Sequence, residues 1–392
     1  MAFRRSRLRR SQEVQDRQTR ILADAVPVPA LMDFAKGGTF SRPSVATLWN
    51  GSLLTRYGVD ERRLVEEGAG LYMEGSRTNL ILTSNDMTYT SGIAETLNDT
   101  VGPDGSSFVS TGQSVTPGGL AKGGWVAPGN PVAQSTPIVV SGFFKRLGEF
   151  GAEVTTIEGR SYVGVNGGPV VAAIEDVWER AFHVFDSGVS GSSYIRNYFK
   201  RTAADIWRAG ITGGQLEEAT FASMLIETFG TAATRAADRL SFEPSEVHPL
   251  FYSNSYEQRV YPGMTKAEFV AGSGGAYISV TGSRIVYMSG GTGNYELYVG
   301  GVIASITIPD WEADEEHRLR VDWARGEFRV VTPNYDITEV FTPPAPQAEA
   351  TVHFGTTAAG TSPYFGKLYA PTYIEAVDEP GGFSLGFDQG FG

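Results

Sequence analysis

The chain has 392 residues, 41% of them hydrophobic, which fills two or three cores and exceeds what one ordinary core holds. It contains no cysteine, which excludes a disulfide scaffold, a thiolate metal site and a cysteine nucleophile. The formal net charge is −12 and unevenly placed: residues 1–20 hold seven arginines against Glu13 and Asp16, a net +5, so residues 21–392 carry −17.

In chain order, the first element is a basic arm. Arg4 and Arg5 stand where a secretory or twin-arginine signal would begin, but the continuation RLRRSQEVQDRQTR is polar, and such a signal needs an apolar run of about 7–15 residues. No stretch approaches the ~18 apolar residues of a membrane span. The expectation is a chain made in the cytoplasm, with no membrane insertion. A basic arm on an acidic body is the asymmetry of a tether that docks on an acidic partner, with Arg4, Arg5, Arg7, Arg9 and Arg10 as the anchor. A solvated tail is the alternative. Residues 11–25 place Val14, Ile21, Leu22 and Ala25 roughly on one face, so a turn or more of helix forms best on a partner. Pro27 and Pro29 then impose a stiff extended spacer. Residues 1–35 therefore read as an extended or short-helical anchor arm and linker.

The remainder is expected to be all-β. Gly 48 and Pro 20 punctuate short runs rich in Val, Ile, Thr, Tyr and Phe. Residues 36–82 read as an extended connector. Residues 83–240 carry alternating runs such as PIVVSGFFKR (137–146) and DVWERAFHVF (176–185), in which His183 is a satisfied strand histidine rather than a ligand. Residues 241–376 repeat the style in six to eight runs, predicting a second antiparallel sandwich, with a hairpin in WARGEFR whose tip is Arg325–Gly326. Residues 377–392 form a Gly-rich tail.

Catalytic and cofactor patterns fail on context. The four histidines, His183, His248, His317 and His353, form no ligand pair, and no metal is expected; a structural calcium has no motif behind it. GFSLG (382–386) matches a nucleophile elbow in letters only, with six residues left and no histidine downstream. GTSPYFGKL (360–368) lacks the spacing and the Ser or Thr of a phosphate loop. Glu312, Asp314, Glu315 and Glu316 cluster as a solvated turn does, whereas a glycosidase needs two carboxyls about 5–10 Å apart in a cleft. The expectation is a protein that is not an enzyme.

Two stretches, GLYMEGSRTNLILTSNDM (70–87) and GGQLEEATFASMLIETFGTAATRAADRL (213–240), resemble signatures of virion spike and fibre proteins of tailed phages and gene transfer agents. The first is similar to a G-L-x-I-E-x-x-R-T-N-L-L motif, preceded as in that family by a piece like residues 39–64. The second is similar to the ending of their carbohydrate-binding-module-like jelly rolls, with VSGFFKR (140–146) and Trp178-Glu179-Arg180 between. Ser223-Met224-Leu225-Ile226 replaces the family's Ser-Tyr-Ile-Pro, and Ala219 its Gly, which bears on a loop path. HRLRVDWARGEFRV (317–330) and YFGKLYAPTYIEA (364–376) resemble strands of a concanavalin-like or laminin-G-like sandwich.

The resemblance implies a jelly roll over 83–240 and a lectin-like sandwich over 241–376. It implies a protein on the particle exterior, held by capsid or tail proteins as a homo-oligomer or mixed ring, contacting host polysaccharide and no nucleic acid. A purely structural adaptor and a polysaccharide-degrading tailspike are the competing implications. The motif residues carry structural expectations. Gln215 and Glu217 alternate with Leu216, so the polar pair faces away from the core. Arg77 and Asn79, beside Glu74, tie a crossing loop. Arg235 and Asp238, three apart, close a turn. Sugar-stacking candidates are Trp125, in a loop between GG and AP, with Tyr162, Tyr194 and Tyr198; Trp178 and Trp207 are assigned to core strands.

Overall fold

The computed structural model describes residues 31–65, 70–85, 89–91, 93–97, 100–105, 110–114, 121–126, 136–146, 154–161, 170–172, 177–186, 193–200, 208–253, 255–271, 275–280, 284–289, 291–345, 348–357 and 364–373. The anchor arginines Arg4, Arg5, Arg7, Arg9 and Arg10, the tail 377–392, Tyr162 and Trp207 lie outside them. Nearly all the described secondary structure is antiparallel strand, arranged as two sandwiches.

The first sandwich packs two five-stranded sheets on each other. One sheet runs Val170–Ala172, Val154–Ser161, Ser193–Lys200, Ala121–Val126, Tyr89–Ser91. The other runs Glu179–Asp186, Pro137–Arg146, Arg208–Glu218, Ser110–Ser114, Ile93–Leu97. His183 lies in this sheet, opposite Val140. In Pro137–Arg146, Ile138, Val139, Val140, Phe143 and Phe144 are all buried, without the alternation of a one-sided strand. Both faces of that strand are covered. The outer cover includes the hairpin Ala46–Trp49 and Leu54–Tyr57, from which Trp49 and Leu54 pack on Phe143, Trp178 and Leu225. Trp178, expected in the core, is buried there and donates Nε1–H to Val101 O at 3.0 Å.

The second sandwich has a seven-stranded and an eight-stranded sheet around one apolar core. Its strands alternate cleanly: in His317–Asp322 the residues His317, Leu319 and Val321 are buried, whereas Arg318 and Arg320 are not. The hairpin expected at WARGEFR joins His317–Asp322 to Glu327–Val331. Asp322 Oδ1 accepts the N–H groups of Ala324 and Arg325, and Gly326 takes φ +70°, where a Cβ would lie 2.1 Å from Phe341 O.

The segment expected as a connector is built partly into this second sandwich. Thr39–Ser41 edges the seven-stranded sheet by pairing with Arg239–Phe242. Gly70–Met73 and Leu64–Val65 extend the eight-stranded sheet beyond Gly366–Tyr369. Short β-rich pieces carry unpaired backbone groups, and an open sheet edge is the cheapest partner for them. The last residues of the expected linker are likewise core residues. Leu31, Met32 and Phe34 are buried, and the Phe34 ring lies 4.8 Å from Phe354 and 5.8 Å from Phe242.

Candidate functional site

The motif residues meet where the two sandwiches join. Arg77–Asn79 pairs with Ala233–Arg235, bringing the start and the end of the first sandwich side by side. Asp238 N–H donates to Glu74 O at 2.9 Å, and Glu74 N–H donates to the Asp238 carboxylate at 2.8 Å. Both carboxylates are buried and collect three buried arginines. Arg42 bonds Asp238 at 3.0 Å, Arg63 bridges Asp238 and Glu74, and Arg235 reaches Glu74 at 2.8 Å. Burial works against the Glu74 carboxylate, but Arg235 and Arg63 overcome it and hold its pKa below the usual range. Burial also opposes the Arg63 cation, and Asp238 and Glu74 more than offset it, raising its pKa. Three arginines on two carboxylates leave positive charge over. Backbone carbonyls solvate it: Arg42 donates to Ser44, Gly58 and Glu61 O, Arg63 to Thr47 O, and Arg235 to Gly75 O.

Asn79 ties its strand to neighbouring segments. Its amide donates to Gly214 O at 3.0 Å and Ile226 O at 2.8 Å, and its oxygen accepts from Ile81 N–H at 3.0 Å and Leu216 N–H at 3.1 Å. A bulge makes this possible. The register slips between Ser141 and Phe143, and Gly213 at φ +66° turns Gly214 out of the ladder. Arg77 stacks its guanidinium 5.0 Å from Phe221 and 4.7 Å from Phe365, linking the sandwiches by cation–π contact.

Two details of the motif differ from expectation. Gln215 and Glu217, on the side opposite Leu216, are not exposed to solvent; both are as buried as Leu216. The loop 219–228 folds over their side, so Gln215 Nε2 donates to Glu217 at 2.7 Å and Ser223 N–H donates to Glu217 at 3.1 Å. Arg235 and Asp238 close no turn with each other. The chain between them is not turned, and each pairs with carboxylates or arginines from the 42–74 segment. Arg42, Arg63 and Arg180 were not singled out from the sequence as partners of the motif carboxylates or their loop. Arg180 belongs to the quoted Trp-Glu-Arg triplet, and its guanidinium donates to Ser141 Oγ at 3.0 Å and to Ser223 O. The signal available was an arginine flanking each apolar strand, which looks the same for a surface residue.

Glu74, Asp238 and Glu217 each have their oxygens occupied by guanidinium, amide, hydroxyl or backbone donors. Among the described residues no group of three His, Asp or Glu is placed to hold a metal ion, and no helix is long and apolar enough to cross a membrane. The 312–316 carboxylates serve a turn: Glu315 accepts Glu312 N–H at 3.2 Å, Glu316 takes Tyr261 Oη–H and Arg318, and Asp314 pairs with Lys367 at 3.2 Å.

Of the sugar-stacking candidates, Trp125 lies in the strand Ala121–Val126 rather than in a loop. It stands opposite Ile195, while Tyr194 stands opposite Val126 and Tyr198 opposite Lys122. Tyr194 and Tyr198 are therefore in step on their strand, and Trp125 is one position out of step with them. Their side chains, like Tyr162, lie outside the described residues.

A cleft of about 770 Å³ opens in the second sandwich, between Leu31–Phe34, Ser245–Pro249 and the outer side of the eight-stranded sheet at Glu257, Arg259 and Tyr369. That is the size range of small-molecule sites.

No protein-family model matches the chain, and no curated protein matches it. Among solved structures, the chain is similar to the N-terminal CBM22-1–CBM22-2 tandem domain of Paenibacillus barcinonensis Xyn10C. Identity is 11% and the TM-score 0.26, over 77% of this chain and 100% of that one. It is also similar to the full extracellular region of zebrafish Gpr126/Adgrg6, at 7% identity and a TM-score of 0.23, over 65% of this chain and 36% of that one. Superpositions this loose leave fold and function to be read from the chain itself.

Proposed function

We propose that this chain is a non-enzymatic component of the exterior of a phage or gene-transfer-agent particle, held by its basic arm on capsid or tail proteins, and that its two sandwiches contact cell-surface polysaccharide. The observation that carries the reading is the junction. Glu74, Asn79, Gln215, Glu217, Arg235 and Asp238, residues of the spike-like and fibre-like motifs, gather there buried and hydrogen-bonded, with the half-buried Arg77 stacked beside them on Phe221 and Phe365. A module whose signature is a lock between two sandwiches suits display at a distance from an anchor. The saturated carboxylates support a binding role over a hydrolytic one. Particle exteriors repeat one subunit around symmetry axes, so the protein acts as a homo-oligomer or mixed ring, and weak sites then add up to adhesion.

The test is incorporation and adsorption. Deleting residues 1–25 should leave a folded body that no longer joins particles. Particles lacking the whole chain should adsorb slowly to encapsulated cells, and Trp125→Ala or Tyr194→Ala with Tyr198→Ala should slow adsorption without loss of folding. Normal incorporation of the truncated chain would overturn the anchor. Normal adsorption without the protein would leave a structural adaptor.

A further inference from the structure

The outer side of the eight-stranded sheet gathers four arginines into two directly opposed pairs. Arg259 stands directly opposite Arg318, and Arg320 directly opposite Arg329, on three adjacent strands. Like charges in directly opposed positions destabilise a sheet. Here two such pairs lie one repeat apart on the same outward side, in a chain of net charge −12.

The four guanidiniums are not equally engaged. Arg318 bonds Glu316 at 2.6 Å and Arg329 bonds Asp336 at 2.6 Å, both on the rim, with the two arginine side chains 52% and 41% exposed. Arg259 is held differently, with its guanidinium 4.4 Å from the centre of the Tyr369 ring. That ring lies on Gly70, where a Cβ would come within 3.0 Å of it. Arg259 is thus positioned by stacking, which leaves its N–H fork available. Arg320, half-buried between Arg329 and Glu257, completes the centre.

We infer that this arginine quartet is a binding site for an acidic polysaccharide with sparse carboxylates, such as a uronic-acid chain. Paired planar forks on neighbouring strands, about 4.8 Å apart, recognise carboxylates in bidentate fashion. The carboxylates Glu257, Glu316, Glu327 and Asp336 match the four cations in number, so the patch lacks the excess charge that a nucleic acid with a charge every ~1.7 Å calls for, and it suits a chain with one carboxylate per sugar or fewer, taken by the guanidinium forks rather than by net charge. The ligand runs across the quartet and not into the neighbouring cleft. That cleft adds Asp33 and Glu246, whose oxygens cap backbone N–H groups of Ala35 and Gly38.

The inference names a ligand class for the proposed carbohydrate contact and rests on that reading, but it is tested with purified protein. Full-length chain is titrated with polygalacturonate, dextran and a single-stranded oligonucleotide at about 0.05 and 0.5 M salt. Polygalacturonate should bind at low salt and release at high salt. Arg259→Gln with Arg320→Gln should weaken it by about tenfold or more at an unchanged melting temperature, and Arg318→Gln with Arg329→Gln should do so as an independent pair. Polygalacturonate binding that survives both double variants, no binding to it at all, or tighter binding of the oligonucleotide would overturn the site. Dextran binding that persists in the variants would overturn this site and leave the carbohydrate reading standing.

Discussion

Arginine is used in two opposite ways in this molecule. At the junction, Arg42, Arg63 and Arg235 are fully buried, with carboxylates and carbonyls around them. On the outer sheet, Arg318 and Arg329 are about half exposed, and arginines face each other across strands. Inside, the cost of desolvating each cation is met only if every partner is present, so the network specifies one geometry for two sandwiches. Outside, water screens the charges, and little stability depends on them. The difference separates arginines that fix the structure from arginines whose partners are exposed rim carboxylates that a ligand can replace.

The largest effect should come from breaking the inner set. Asp238→Ala removes the acceptor shared by Arg42, Arg63 and the Glu74 N–H, and leaves buried cations uncompensated. The expected loss is about 3–5 kcal/mol, read as a shifted midpoint in urea unfolding followed by fluorescence. A loss below about 1 kcal/mol would mean that the arginines are solvated well enough by carbonyls alone. Next is Asn79→Ala, which strands two backbone donors and two acceptors and should cost about 3 kcal/mol.

The all-β class and the two sandwiches were legible because the alternation in strands such as His317–Asp322 is written in single residues. So was the hairpin ending at Gly326, whose positive φ favours glycine. The motif residues stand out in the sequence, but their partners do not. Arg42 and Arg63 stand 196 and 175 residues from Asp238 in the chain, and a lone arginine beside a strand reads as surface. The burial of Gln215 and Glu217 was hidden for the same reason, since the loop that covers them makes alternation look like an exposed side. The strands Thr39–Ser41 and Gly70–Met73 looked like connector because their sheets are completed by residues near 240 and 366.

A pH effect of intermediate size distinguishes the two regions further. His317 sits in the core of the second sandwich, bonded through Nδ1 to Tyr295 Oη and packed edge-on against Trp311 at 5.6 Å. Burial pushes its pKa down to about 4 from an ordinary 6.5. The unfolded chain therefore takes up the proton first as pH falls, so stability present above pH 6.5 should be lost progressively towards pH 4. The full loss is at most about 3 kcal/mol. Glu74, with a depressed pKa, adds a loss of the same sign further into acid. Unfolding midpoints at pH 7, 5.5 and 4 test this, and His317→Asn should flatten the upper part of the profile. A flat wild-type profile between pH 7 and 4 would mean that the folded chain protonates His317 without penalty.

The smallest effect should be at the outer quartet. Arg320 has Glu257 opposite it on one side and Arg329 on the other, so attraction and repulsion nearly cancel. Arg320→Gln should leave the urea midpoint within about 0.5 kcal/mol of wild type at low and high salt alike. Its aliphatic stem is replaced by most of a similar one, so packing changes little. A loss above about 1.5 kcal/mol would place Arg320 with the junction arginines, as a residue that holds the sheet together. An unchanged midpoint with lost polygalacturonate binding is the pattern that separates recognition from structure at this position, because no contribution to folding is then left to account for two pairs of opposed cations.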